Sequence, residues 1–321
     1  MGEIRKDYFL DRYVIISPER AKRPHDFQVH PMEHVKSTPF TPGNEHQLPM
    51  DEHQQPIILH EYPQGPDWRL RVVPNLFAIT RPEGQAQLLT NDLYTWANNY
   101  GYHEIVIEGQ QDNRPFADLG PELIAEAIRI AIDRVKLMQA KQNIEYVAYF
   151  KNERPEAGAS ISHPHSQVIA TAIIPPFITR LTQAFSQLRK QYGFSPLYKV
   201  LDYERGGPRI IAETKYFSML CPYASRFPFE VMIMPLRESN TYTALTNEEL
   251  ADLAGLLHKV LAKLATMAAP YNIQWVHNPK DKEFHWYITV APRLNVWAGF
   301  EFETGIIVNP VPPENAALFY R

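Results

Sequence analysis

The chain has 321 residues, of which 45% are hydrophobic and 21% charged, with a formal net charge of −4. That is the composition of a folded globular protein, and it excludes disordered and fibrous classes. Lys and Arg are scattered, so no broad basic face offers itself to polymeric nucleic acid, and no apolar run approaches the roughly 20 residues of a membrane span. Cys221 is the only cysteine, which excludes an intrachain disulfide and any site built from several thiolates. The N-terminal Met1-Gly2-Glu3-Ile4-Arg5-Lys6 lacks the apolar core of a signal peptide, so a cytoplasmic location is expected.

In chain order, the 28 prolines are densest in the first hundred residues, and the stretch from His25 to Pro66 has little periodicity and reads as loop. The alternation in His103-Glu104-Ile105-Val106-Ile107-Glu108 predicts a half-buried strand. From Pro121 to Lys141, Ile124, Ala127, Ile128, Ala131, Val135 and Met138 recur at helical spacing, and Pro121 suits a helix start. Ile144 to Phe150 reads as a strand. A small-residue loop, Ala157-Gly158-Ala159-Ser160, then delivers His163-Pro164-His165-Ser166-Gln167.

The same order recurs downstream. Phe229 to Met234 predicts a strand that Pro235 ends, and Thr246-Asn247-Glu248-Glu249 is a capping box ahead of the stripe Leu250, Leu253, Leu257, Val260, Leu261 and Leu264. Asn272 to Val276 reads as a strand, and His285-Trp286-Tyr287 stands in the place of His163-Pro164-His165. This predicts an internal duplication, with halves at 1–190 and 191–321.

In the His-Pro-His run the proline favours extended backbone before it, so the two imidazoles and Gln167 fall on one face of an extended segment. A neutral imidazole can attack phosphorus, and the phosphoramidate splits one difficult transfer into two easier ones. Gln167, Ser160 and the loop amides could disperse charge on the non-bridging oxygens. Two histidines in a turn could equally be surface residues or a weak metal site, and the tripeptide alone does not decide.

The surrounding residues do carry a resemblance. They are Tyr13-Val14-Ile15-Ile16-Ser17-Pro18-Glu19-Arg20-Ala21-Lys22-Arg23-Pro24, Thr38 to Glu45, Arg71 to Phe77, Phe150-Lys151-Asn152, the His-Pro-His run, Phe284-His285-Trp286 and Ala298-Gly299-Phe300-Glu301. In that order they resemble the galactose-1-phosphate uridylyltransferase family, within the wider histidine-triad superfamily, over nearly the whole chain. The resemblance implies an α+β fold: a duplicated histidine-triad-like motif, antiparallel strands forming a half-barrel, and helices packed outside. It implies His165 as nucleophile, with Gln167 and Ser160 in the catalytic set. Arg20, Arg23, Asn75, Phe77, Asn152, Ser160 and Gln167 would meet the nucleotide, and Phe300 and Glu301 the sugar. It also implies a homodimer whose subunits complete each other's sites.

The pattern departs from the family at its metals. A structural zinc in the family uses a Cys-x-x-Cys pair, a histidine after the first strand and the first histidine of His-Pro-His; here these positions hold Thr38, Thr41, about Asp112, and His163. Zinc binds neutral hydroxyls poorly, so the site is expected to be lost and no metal required. Of a second family metal set, His277 and His285 match two histidines, while Tyr287 replaces a third. A phenol of pKa ~10 is also a poor stand-in for the nucleophile of the first half. Arg154-Pro155 falls where the family places a glycine, beside the phosphates.

The leading expectation is therefore a UDP-glucose:hexose-1-phosphate uridylyltransferase, with galactose 1-phosphate as acceptor, working by ping-pong through a uridylyl-histidine on nucleotide-sugar and sugar-phosphate substrates. One alternative is an ADP-sugar or dinucleotide phosphorylase of the same superfamily; another, of a different class, is a non-catalytic nucleotide-binding module. A metal-dependent hydrolase is disfavoured by the shortage of nearby carboxylates and cysteines.

Overall fold

A computed structural model describes residues 2–22, 37–111 and 114–321. Arg23 and Asp112 lie outside the described residues. Two compact units are present. One, the His165 unit, takes its described residues from 32–155 and 159–175; the other, the Tyr287 unit, takes them from 1–31, 156–158 and 176–321.

The chain opens in the Tyr287 unit with β1 (Glu3–Lys6) and β2 (Tyr13–Ile16). The His165 unit follows with β3 (His60–Tyr62), β4 (Leu70–Pro74), the hairpin β5 (Leu89–Asn91) and β6 (Tyr94–Trp96), and β7 (Gly101–Ile107). It is completed by α1 (Gly120–Gln139), β8 (Tyr146–Glu153) and β9 (His165–Thr171). The Tyr287 unit then resumes with α2 (Pro176–Tyr192), α3 (Pro196–Glu204), β10 (Ile210–Glu213), β11 (Phe217–Leu220) and β12 (Val231–Pro235). After these come α4 (Asn247–Thr266), β13 (Tyr271–Val276), β14 (Tyr287–Pro292), α5 (Gly299–Thr304), β15 (Ile307–Asn309) and α6 (Pro313–Tyr320).

In the His165 unit the strands order as β8-β9-β7-β4-β3, and in the Tyr287 unit as β13-β14-β12-β11-β10, antiparallel throughout. The two orders superpose strand for strand: β8 on β13, β9 on β14, β7 on β12, β4 on β11, β3 on β10. The long helix falls at the same point of each repeat, between β7 and β8 or between β12 and β13. The duplicated α+β architecture read from the sequence is thus the architecture of the molecule. No helix among the described residues is long and apolar enough to cross a membrane.

Each long helix forms for the reason its sequence suggests. In α1, Pro121 occupies the first turn, where its missing N–H costs nothing, and Ile124, Ala127, Ile128, Ala131 and Val135 are buried along one face. Arg134 on that helix grips Glu104 of β7 through two bonds of 2.6 Å. In α4, Thr246 accepts from the Glu249 N–H while the Glu249 carboxylate accepts from the Thr246 N–H, so the capping box is formed in both directions. Each fully buried Leu or Ile of these stripes is worth roughly 1.5–3 kcal/mol, so Ile128→Ala would cost more than the loss of any surface ion pair.

Two boundaries differ from the sequence reading. His60–Tyr62, inside the stretch read as loop, is a strand pairing His60 with Val72 and Tyr62 with Leu70. The same stretch supplies Phe40 and Leu48 to a core with Trp68, Val73, Ile105 and Ile107. A strand of three residues is too short to show alternation, and Phe40 and Leu48 pack against residues as far along the chain as Ile107, so local periodicity announces neither. Phe229, read as the start of a strand, has φ of 61°, and regular pairing begins at Val231.

A separate three-stranded sheet, in the Tyr287 unit, joins β1 to β2 antiparallel and β2 to β15 in parallel. Arg5 of β1 reaches Glu314 of α6 at 2.9 Å.

Candidate active site

The site is built on β9 and its neighbours. Registers Ile105↔Gln167, Ile107↔His165 and Phe150↔Gln167 put His165 and Gln167 on one face with Ile105, Ile107 and Phe150. Ser166 lies on the opposite face, paired with Lys151.

His165 is buried, and the Phe40 ring packs edge-on with its centroid 5.6 Å away. Its Nδ1 lies 2.8 Å from the carbonyl of His163. That carbonyl can only accept, so Nδ1 carries the proton and Nε2 keeps the lone pair. Burial pushes the imidazole down to about 4, which leaves it neutral at physiological pH. A neutral imidazole with a fixed tautomer is what attack on phosphorus requires.

His163 is held for a different purpose. Its Nε2 donates to the Gly109 carbonyl at 2.7 Å, and the Thr38 hydroxyl lies 3.4 Å from Nδ1. Thr38 and Thr41 are tied together by Oγ1 atoms 3.3 Å apart and by the Thr38 N–H to Thr41 Oγ1 at 2.8 Å. At the positions where the family places zinc thiolates, the described residues therefore present two hydroxyls bonded to each other and an imidazole engaged at both nitrogens. That donor set does not fit zinc. No group of three or more His, Cys, Asp or Glu suited to a metal ion occurs among the described residues.

Gln167 is oriented by a residue the sequence reading passed over. The Ile79 N–H reaches Nδ1 of His103 at 3.3 Å, so the neutral ring carries its proton on Nε2 and donates to Gln167 Oε1 at 2.8 Å. Desolvation lowers the His103 pKa, in keeping with a neutral ring. With its oxygen occupied, Gln167 has its NH₂ to offer a ligand. Asn75 stands beside this group: its Oδ1 accepts from the Phe77 N–H at 2.9 Å, and its NH₂, 3.0 Å from the protonated His103 Nε2, makes no hydrogen bond there. The signal for His103 was present, because strand alternation puts it on the face of Ile105 and Ile107.

Of the expected site residues, His165, Gln167, Asn75, Phe77, Asn152 and Ser160 belong to the His165 unit. Phe77 is 82% exposed, Ser160 is exposed, and Asn152 is part-buried on β8. Arg20, Phe300 and Glu301 belong to the Tyr287 unit. Arg20 and Phe300 are exposed there, and the Glu301 carboxylate accepts from the Ala298 N–H at 2.9 Å, capping α5.

In the Tyr287 unit the corresponding face is lined by different side chains. Registers Met232↔Thr289 and Gln274↔Thr289 place Tyr287 and Thr289 where the other unit has His165 and Gln167. Phe9 lies over Tyr287 with ring centroids 6.5 Å apart, Asp7 pairs with Arg12, and Arg226 pairs with Glu230 at 3.1 Å. A cavity of about 50 Å³ remains among them. Burial pushes the Tyr287 phenol far above its ordinary range. His277 and His285, the other candidate metal pair, are buried; His285 is engaged by Ser195 and by Pro235.

Comparison with known proteins bears directly on this arrangement. Residues 2–175 match the family model described as galactose-1-phosphate uridyl transferase, N-terminal domain, and residues 108–317 match a domain of unknown function, DUF4921. The chain is 31% identical over 334 residues to an ADP-glucose phosphorylase of Arabidopsis thaliana, covering 99% of this chain and 92% of that protein. The chain belongs to the galactose-1-phosphate uridylyltransferase family. A uridylyltransferase of that name from Thermotoga maritima is 29% identical over 231 residues, covering 68% of this chain and 72% of its own. The crystal structure of an Arabidopsis ADP-glucose phosphorylase with bound ADP-glucose superposes with a TM-score of 0.83 at 29% identity, covering 100% of this chain and 98% of that one. The protein is accordingly a nucleotidyltransferase of the galactose-1-phosphate uridylyltransferase type.

Proposed function

We propose that the protein cleaves ADP-glucose by a double displacement through His165. In the first step His165 Nε2 attacks the α-phosphorus, the bond to the bridging oxygen breaks, and glucose 1-phosphate leaves with that oxygen. In the second step an oxygen of inorganic phosphate attacks the same phosphorus, which returns the electron pair to Nε2 and yields ADP. Gln167 would donate its NH₂ to a non-bridging oxygen, where charge builds in both steps. The observation that carries the chemistry is the 2.8 Å contact fixing the His165 tautomer. What favours the adenine substrate is the similarity over 99% of the chain to a protein named ADP-glucose phosphorylase.

The second reading is uridylyl transfer from UDP-glucose to a hexose 1-phosphate, favoured by the family match over residues 2–175. Incubation with each nucleotide sugar, followed by intact mass measurement, distinguishes them. The expected result is an adenylyl adduct on the wild type that is absent from His165→Asn. A uridylyl adduct alone would overturn the first reading in favour of the second. Nucleotide binding with no adduct from either sugar would reduce the protein to a binding module.

We also infer that the enzyme needs no zinc, on the strength of the Thr38, Thr41 and His163 hydrogen bonds. Metal analysis of protein purified without chelator is expected to give well under one equivalent, and stoichiometric zinc would refute this. A homodimer is proposed as well. Support comes from large apolar side chains left exposed in each unit, including Phe77, Leu93, Tyr94, Val296 and Phe302.

A further inference from the structure

Behind His165 lies a charged group that the double displacement does not use. Lys151 is 2% exposed and Glu108 wholly buried, and they pair at 2.6 Å. The Ser166 hydroxyl donates to the other Glu108 oxygen. Lys151 Nζ also donates to the backbone carbonyl of His165 at 3.1 Å, lies 3.4 Å from Glu153 Oε2, and stands 4.5 Å from the centre of the Phe116 ring. An ion pair this deep carries a large desolvation cost for each charge, and apolar residues of similar volume often serve stability as well or better. Its place in the molecule therefore calls for a role besides stability.

The hydrogen bonds around the His-Pro-His run suggest that role. The carbonyl of His163 is taken by the His165 ring, that of Pro164 by the Glu108 N–H at 2.9 Å, and that of His165 by Lys151. Three successive carbonyls are thus pinned; the donor to the third is the Lys151 ammonium, which the Glu108 carboxylate holds in place, while Glu108 gives only its backbone N–H to the second. The His165 ring hangs from this backbone by two rotatable bonds, so a shift of the peptide moves Nε2 directly. In-line attack tolerates little such movement, since about 1 Å of misplacement can cost on the order of a hundredfold in rate.

We propose that Lys151, held by Glu108, is a positioning residue that fixes the His165 backbone and so aims Nε2 at phosphorus. This rests on the reading of His165 as nucleophile. Removing Lys151 alone would leave Glu108 buried and unpaired, so the informative variant is Lys151→Met with Glu108→Gln, in which neither charge remains. Glu108→Gln alone keeps the Lys151 amine and its bond to the His165 carbonyl.

The experiment measures nucleotide-sugar affinity on the resting enzyme and, separately, the single-turnover rate of adduct formation, using whichever of ADP-glucose or UDP-glucose labels the wild type. For the double variant, affinity is expected within about twofold of wild type, while the adduct rate falls at least about tenfold. Glu108→Gln is expected to keep most of the rate. Three results would overturn the proposal: a double variant as fast as wild type, an equal loss of affinity and rate, or Glu108→Gln as slow as the double variant. Should the double variant fail to fold, Lys151→Gln with Glu108→Gln provides a second neutral pair with the same expected split. A wild type that forms no adduct at His165 would instead refute the nucleophile reading, and the two failures are separable in the wild-type control.

Discussion

His163 and His285 are held in nearly the same way. Each donates from Nε2 to a carbonyl just at or beyond the end of the corresponding strand, Gly109 after β7 at 2.7 Å and Pro235 ending β12 at 3.1 Å. Each has a hydroxyl at Nδ1, Thr38 at 3.4 Å and Ser195 at 2.9 Å. Two residues later the repeats part: His165 presents Nε2 beside Gln167, whereas Tyr287 lies under Phe9 beside Thr289. The first histidine of each pair is therefore part of the frame, and on the proposed reading only the second position in the first repeat carries chemistry. Burial and hydrogen bonding hold the frame alike in both halves, while the position two residues on differs between them.

The most severe way to break this comparison is to exchange the diverged residues. His165→Tyr is expected to abolish the nucleotidyl adduct and to lower turnover by about a thousandfold or more, as loss of a covalent nucleophile does. Tyr287→His is expected to create no second adduct, because Phe9 and the Arg226–Glu230 pair occupy its face. Mass measurement of the double exchange would show at once whether the second face is closed; an adduct at residue 287 would end the distinction.

A second prediction concerns what the halves share. Burial pushes both His165 and His285 down to about 4 from the ordinary 6.5. In the unfolded chain they take up protons below pH 6.5, while the native rings stay neutral until about 4. Stability is then complete above pH 6.5 and falls as the pH drops toward 4, by roughly 3 kcal/mol per ring as an upper figure. Urea unfolding across this range should show the slope, and His285→Gln should remove part of it. An unchanged slope in that variant would mean that His285 is not among the groups responsible.

The smallest effect is expected at His103. His103→Phe keeps the bulk but removes the donor that holds Gln167 Oε1, so adduct formation should slow by about tenfold with the protein still folded. A full rate in this variant would show that Gln167 orients itself.

The parts of the molecule legible in the sequence are those fixed by neighbours along the chain. The Thr246 capping box, the stripe of α4, the ending of β12 at Pro235 and the extended His-Pro-His run all depend on residues a few positions apart. What could not be read depends on distant partners. Nothing local marks His60–Tyr62 as a strand, since three residues are too few to show alternation, and Phe40 in the same stretch finds its core partners Ile105 and Ile107 more than sixty positions on. Lys151 looks like an ordinary charge in a strand until Glu108, 43 residues earlier, is seen against it. Gln167 is expected from the sequence to meet phosphate, but its orientation comes from His103, 64 positions away.

The small sheet β1-β2-β15 has a consequence for how the protein is made. Its parallel pair joins Val14 to Ile307 and Ile16 to Asn309, and Arg5 waits for Glu314. On a ribosome the first strands emerge long before their partners, whereas every described residue of the His165 unit is available once position 175 has left the exit tunnel. The described strands of the His165 unit can therefore pair with one another during synthesis, while β1 and β2 wait for β15 and Glu314 to appear.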